Sequence, residues 1–181
     1  MKKDNIILTG FRATGKTSVG RMVAADLGYR FEDTDHLLCQ RWGCSIAEVV
    51  DRHGWPFFRR AEAALLRELS GERELVLATG GGAILHQEEW KLLRRGGMVV
   101  WLDADPAVIA RRIAVDPASS GQRPALDSSP SDEASIVRLL AERRPLYAAG
   151  ADAQLDTTGD PVERVAAHIH TLYRDWIAAT R

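Results

Sequence analysis

A run of apolar residues, Asn5–Thr9, passes directly into Gly10-Phe11-Arg12-Ala13-Thr14-Gly15-Lys16-Thr17, and apolar residues then recur at helical spacing from Thr17 to Leu27, ahead of Gly28. The octapeptide fits G-x-x-x-x-G-K-[ST] and lies between a buried strand and a helix, the setting its chemistry requires. Glycines let backbone amides turn inward around phosphate oxygens, where a Cβ would obstruct the loop. Lys16 brings positive charge to the outer phosphates, the Thr17 hydroxyl is a magnesium ligand, and the helix adds its positive end. Average residue usage gives about 0.006 such matches in a chain of this length, so a coincidental glycine turn is a poor account. The loop implies nucleotide binding but not a reaction, since GTPases, ATP-driven machines and small-molecule kinases share it. No Asn-Lys-x-Asp guanine-reading motif is present, and 181 residues leave little room for a motor, so a kinase of a small metabolite is favoured.

Beyond the loop, strand-like and helix-like segments alternate. Glu74–Ala78 and Met98–Leu102 predict two more buried strands, and Tyr29–Glu32 and Ala153–Asp156 are short strand candidates. Ser45-Ile46-Ala47-Glu48 predicts a capping box, Phe57–Leu69 a helix with Pro56 near its first turn, and Asp105-Pro106 the start of a helix to about Ile113. Helices are also expected at Asp132–Tyr147 and Asp160–Ala178. Regular alternation argues for an α/β fold, a parallel sheet covered on both faces, in a single domain spanning 1–181. Ala114–Ser131, rich in Ser, Pro, Asp and Gly, breaks the rhythm: a surface insertion would explain it, but Arg123-Pro124 at its middle favours a functional lid.

Charge and cysteine content narrow the setting. With 24 Lys+Arg against 25 Asp+Glu, nothing supports a nucleic-acid or membrane partner. No apolar stretch approaches the roughly 18 residues of a membrane helix. Met1-Lys2-Lys3 opens like a signal peptide, but Thr9, Gly10 and Arg12 interrupt the apolar run, and Cys39 and Cys44 are too few for a disulfide scaffold. A cytoplasmic protein is expected. His168 and His170 are expected on a solvated helix face, and Trp42, Trp55, Trp90 and Trp101 in packing.

Four further clusters are candidates for an acceptor site. In Asp33-Thr34-Asp35, residues two apart on an extended segment point to the same side, so one carboxylate could face magnesium and the other an acceptor hydroxyl; a helix N-cap is an equal alternative. In Phe58-Arg59-Arg60-Ala61-Glu62, Arg59 and Glu62 are helical neighbours, which is unremarkable if exposed but, if buried, holds a guanidinium ready for a carboxylate. Gly80-Gly81-Gly82 follows a strand at its carboxyl end, where close approach of a ligand explains three glycines better than a plain turn. Arg143-Arg144-Pro145-Leu146-Tyr147 ends a helix, where arginines also complement the dipole.

In order and spacing these motifs, with Arg123-Pro124, resemble the shikimate kinase family of phosphate-loop kinases, similar to nucleoside monophosphate kinases, from Asn5 to about His170. The resemblance implies a three-layer fold with a five-stranded parallel sheet in order 2-3-1-4-5 and a lid at about 114–131. It implies transfer of the ATP γ-phosphoryl group to the 3-hydroxyl of shikimate, a step toward chorismate and the aromatic amino acids, with Mg²⁺ as cofactor; a monomer is expected, though no residue pattern addresses oligomeric state. By the same resemblance, Gly10, Arg12, Ala13, Thr14, Gly15, Lys16, Thr17 and Ser18 hold the nucleotide, with Arg112 and Pro161 near the adenine. Thr17 and Asp33 serve the metal, and Asp35 bonds the acceptor hydroxyl. Arg59, Arg143 and the Gly80, Gly81 and Gly82 backbone bind shikimate. Lys16, Asp35 and Arg123 are the catalytic set, Arg123 descending with the lid. One departure is that Trp55 follows Gly54 where the family commonly has Glu. A gluconate kinase is the alternative enzyme, disfavoured by the triple glycine with Arg-x-Pro-Leu-Tyr. A nucleotide-binding module that has lost catalysis is disfavoured because Asp35 and Arg123 are retained.

Overall fold

The computed structural model describes residues 4–115 and 133–180. Five strands, β1 (Asn5–Thr9), β2 (Arg30–Asp33), β3 (Leu75–Ala78), β4 (Gly97–Asp103) and β5 (Ala153–Asp156), form one sheet in the order β2-β3-β1-β4-β5, with every pairing parallel. The order is the one that the resemblance implies. The three inner strands are buried along their whole length, whereas β2 and β5 at the edges are partly exposed. Unbroken apolar runs belong to strands covered on both faces, which is why β1, β3 and β4 are so legible.

Eight helices accompany the sheet among the described residues: α1 (Lys16–Leu27), α2 (Thr34–Trp42), α3 (Ile46–His53), α4 (Trp55–Leu69), α5 (Gln87–Gly96), α6 (Pro106–Val115), α7 (Glu133–Gly150) and α8 (Val162–Thr180), with a 3₁₀ turn at Ala83–Leu85. Side chains alternate across a strand, and the strands divide accordingly. Ile7, Leu75, Leu77, Val99 and Trp101 pack with Leu38, Phe58, Leu65, Trp90 and Tyr147 on one face. Ile6, Leu8, Val76, Met98, Val100 and Leu102 pack with Val19, Val23, Val165 and Ile169 on the other. Burying Ile or Leu side chains of this kind contributes roughly 1.5–3 kcal/mol each. A third cluster joins Phe11 of the phosphate loop to Ile109 and Ile113 of α6 and Ile136, Leu139 and Leu140 of α7. The loop is thereby gripped by the two helices that flank the expected lid.

Ser45 and Glu48 form the capping box, with Ser45 Oγ accepting from Glu48 N–H at 3.2 Å and Ser45 N–H donating to Glu48 Oε2 at 2.8 Å. Asp105 Oδ1 accepts from Ala107 N–H at 2.8 Å, with Pro106 opening α6. Two helices escape the sequence pattern. In α2 only Thr34 and Leu38 are buried, so its apolar stripe is too narrow to read. In α5 no side chain caps the N-terminus, and Gly96 passes straight into β4 at Gly97, so no turn residues mark either end. α7 continues through Pro145 to Gly150 rather than stopping at Tyr147. Ala114 and Val115 belong to α6; the rest of the expected lid, Arg123 included, lies outside the described residues.

Candidate active site

The phosphate loop leaves β1 at its carboxyl end and turns against β4. Gly10 has φ +133°, and a Cβ there would collide with the Leu102 carbonyl, so only glycine serves. Ala13 at φ +61° and Gly15 at φ +92° complete the left-handed bends, and Thr14 Oγ1 donates to Phe11 O at 2.8 Å. The start of α1 carries no side-chain cap, so its first amides await partners of another kind. Lys16 is buried, and its Nζ donates to Gly10 O at 2.9 Å and Phe11 O at 2.6 Å. The lysine therefore also ties the loop to itself, beyond the purely phosphate-directed role that its sequence position suggests. Ser18 is exposed in the first turn of α1.

Asp33 answers both readings of the Asp33-Thr34-Asp35 cluster. Its Oδ1 accepts from Asp35 N–H at 3.0 Å and His36 N–H at 3.3 Å as the N-cap of α2, while Oδ2 accepts from Thr17 Oγ1 at 2.7 Å. The expectation that the two aspartates share one side of an extended segment needs correcting. Asp35 lies in the first turn of α2, because the Asp33 cap starts a helix immediately after β2. Thr34 Oγ1 accepts from Gly80 N–H at 2.8 Å and docks this turn onto the triple glycine. Asp35 then faces Gly80 so closely that a Cβ there would stand 2.6 Å from Asp35 Oδ1.

Asp35, Arg59, Glu62, the three glycines and Arg143 line one pocket. Arg12, expected with the nucleotide, stands in its wall as well. Glu62 is 1% exposed and accepts from Arg59 Nη1 at 2.6 Å, so the Arg59–Glu62 pair is the buried kind that can aim a guanidinium. The guanidinium lies over the Trp55 and Phe58 rings, 5.2 and 5.3 Å from their centroids. Trp55, the departure from the family pattern, is thus a platform for the Arg59 guanidinium rather than a disturbance of its helix. Arg143 is buried against the Phe11 ring and donates to Gly81 O at 3.4 Å. Tyr147 donates to the same carbonyl at 2.6 Å, and burial pushes its hydroxyl pKa up to about 12. In the Arg143-x-Pro-Leu-Tyr motif, then, arginine and tyrosine both anchor the glycine turn. The motif was legible, but the tyrosine's part in it was not.

On the other side of the loop, Arg112 donates to Ala13 O at 3.3 Å and to Thr157 O at 2.6 Å. Thr157 Oγ1 lies 3.1 Å from both Thr14 O and Asp103 O, which share its single hydroxyl proton. The structure thus brings Arg112 to the edge of the phosphate loop and ties the segment after β5 to it. Thr157, which no motif marked, is the joint. Pro161 is exposed just before α8. His86, also unmarked, places Nε2 2.8 Å from Oε2 of Glu62, which lines the pocket.

The family model for shikimate kinase matches residues 12–173. The chain belongs to the shikimate kinase family. It is 45% identical over 161 residues to a shikimate kinase of Syntrophus aciditrophicus, covering 85% of this chain and 83% of that protein. A solved shikimate kinase from Acinetobacter baumannii, in complex with shikimate, superposes with a TM-score of 0.86 at 34% identity, covering 93% of this chain and 92% of that one. A gluconokinase from Sinorhizobium meliloti reaches a TM-score of 0.55 at 18% identity over 99% of this chain and 98% of its own, a likeness of fold alone.

Proposed function

We propose that the pocket beside the phosphate loop holds shikimate through Arg59 and Arg143 and presents its 3-hydroxyl, on Asp35, to the γ-phosphate of ATP. The observation that carries this reading is the convergence of two guanidinium groups and Asp35 on one pocket, at the sheet edge where the phosphate loop begins. Planar guanidinium groups bind a carboxylate at two points, and the Acinetobacter relative was solved with shikimate bound. Family membership makes the chain an ATP-dependent kinase.

Phosphoryl transfer passes through a loose transition state, so positioning and charge neutralisation do most of the work. Asp35 orients the hydroxyl and takes its proton late, as the new P–O bond forms and the bond to the ADP oxygen breaks; a carboxylate near pKa ~4 contributes more as an orienter than as a base. Lys16 exchanges its loop carbonyls for phosphate oxygens. Thr17 and Asp33, a hydroxyl and a carboxylate side by side, are hard oxygen donors suited to Mg²⁺, which keeps waters and takes its other ligands from phosphates. When bound, the ion neutralises charge on the β- and γ-phosphates. Arg112 and the segment toward Pro161 take the adenine side. Arg123, outside the described residues, is the further cation that this reading assigns to the transferring group. A cytoplasmic monomer acting on diffusible small molecules is the setting of this reading; no helix among the described residues is long and apolar enough to cross a membrane.

The test is ADP release with Mg-ATP against shikimate, gluconate and nucleoside monophosphates. Shikimate alone should support rapid turnover. Comparable turnover of gluconate would refute the acceptor assignment.

A further inference from the structure

Glu62 is sealed from solvent, yet its Oε2 is shared by two donors from distant parts of the chain: Arg59 Nη1 at 2.6 Å and His86 Nε2 at 2.8 Å. Its other oxygen, Oε1, lies 3.1 Å from where a Cβ on Gly80 would stand. An ionised carboxylate only accepts, so His86 Nε2 carries the proton in this bond. The imidazole is 14% exposed, and its backbone is fixed at the junction of the 3₁₀ turn and α5. There His86 N–H donates to Ala83 O at 3.1 Å, and His86 O accepts from Trp90 N–H at 2.8 Å. His86 therefore ties the carboxylate under Arg59, on α4, to the chain that leaves the triple glycine.

We propose that His86 is a positioning residue of the acceptor site: by sharing Glu62 Oε2 it limits how far that carboxylate draws the Arg59 guanidinium away from the pocket. A buried carboxylate left with one cationic donor would pull the whole fork of Arg59 onto itself, using the edge that a ligand carboxylate needs. With His86 taking part of the oxygen's capacity, Arg59 reaches Glu62 through Nη1 and keeps further N–H groups for the substrate. None of the recognised motifs contains His86, and it does not touch the reacting atoms. The inference rests on the reading of Arg59 as the shikimate clamp.

The experiment is steady-state kinetics with calorimetric titration of shikimate on the parent, His86→Ala, His86→Gln, Arg59→Lys, Glu62→Gln and the Glu62→Gln/His86→Ala double variant. His86→Ala should raise the shikimate KM and Kd about tenfold while kcat and the KM for ATP stay within about twofold. His86→Gln, which restores an N–H donor, should recover most of the loss, and His86→Ala should add nothing in the Glu62→Gln background. Should the alanine variant not fold, His86→Phe keeps the ring without the donor and should show the same loss. Shikimate affinity within about twofold of the parent in the donor-less variant overturns the proposal. So does a loss that glutamine fails to recover, or one that persists in full without Glu62. If Arg59→Lys leaves shikimate affinity unchanged, the clamp reading falls and this proposal with it. If Arg59→Lys loses affinity and His86→Ala does not, only this proposal falls.

Discussion

Gly82→Ala tests the clamp with a single methyl group. Gly82 has φ −94° and ψ −6°, a conformation alanine adopts without strain. A Cβ there would stand 2.8 Å from Arg59 Nη2 and 2.9 Å from Cζ, and closer still to Nη1. Carbon contacts settle near ~3.5–4.0 Å, so the guanidinium must withdraw by roughly 1 Å. The obstacle is the end of a flexible side chain, and glycine-to-alanine changes at compatible sites gain about 0.4–1 kcal/mol from the unfolded chain, so stability should hold within about 1 kcal/mol. Binding should not hold. Loss of one charged hydrogen bond costs about 2 kcal/mol, or roughly 30-fold in affinity. Coupled ADP-release kinetics should show that rise in shikimate KM with the KM for ATP unchanged, and urea denaturation should show a parent-like midpoint. A shikimate KM within about twofold of the parent, in a folded variant, would refute the placement of Arg59 across the glycine turn.

Three further outcomes follow from the same geometry. Asp33→Asn keeps a good N-cap, so stability should change little while the magnesium requirement for turnover shifts upward; Asp33→Ala should in addition lose about 1 kcal/mol of stability. A magnesium titration of Asp33→Asn that overlays the parent removes the metal role. Lys16→Ala should abolish turnover and also destabilise by about 1–3 kcal/mol, because two loop carbonyls lose their donor; an unchanged urea midpoint would remove the loop-holding role. Tyr147 has its pKa raised by burial from about 10 when unfolded to about 12 when folded. The folded state keeps a proton that the unfolded chain sheds, so this contribution is whole below pH ~10 and declines toward pH ~12. Between pH ~9 and ~11 the parent should therefore lose about 1 kcal/mol more than Tyr147→Phe in urea titrations, and parallel losses would contradict it.

Much of this protein is written locally. The strand–loop–helix from Asn5 to Leu27 was legible because unbroken apolar runs, glycines and a lysine signal β1, the phosphate loop and α1 within one stretch of chain. The capping box at Ser45–Glu48 and the Asp105-Pro106 start of α6 were legible for the same reason: their hydrogen bonds close within three residues. Candidates for an acceptor site could also be picked out, since their types and order match a known pattern, and Asp35, Arg59, the three glycines and Arg143 line one pocket. What periodicity reports, however, is only which face of an element is buried. It carried no sign of α2, whose buried stripe is two residues wide, or of α5, which runs into β4 without a turn.

The parts decided by tertiary structure are those in which one atom serves partners far apart in sequence. Asp33 was read as either a cap or a metal-side carboxylate; it has two oxygens and reaches both Asp35 N–H and, 16 residues away, the Thr17 hydroxyl. Trp55 looked like a departure until α4 placed its ring under Arg59. Gly81 is held by Tyr147 from 66 residues away, and Glu62 by His86 from 24. Such sharing depends on the distance and burial of particular oxygens, and a one-dimensional pattern carries neither. Residue types in order nominate the candidates for the chemistry; packing around a buried carboxylate and a glycine turn sets how they are held.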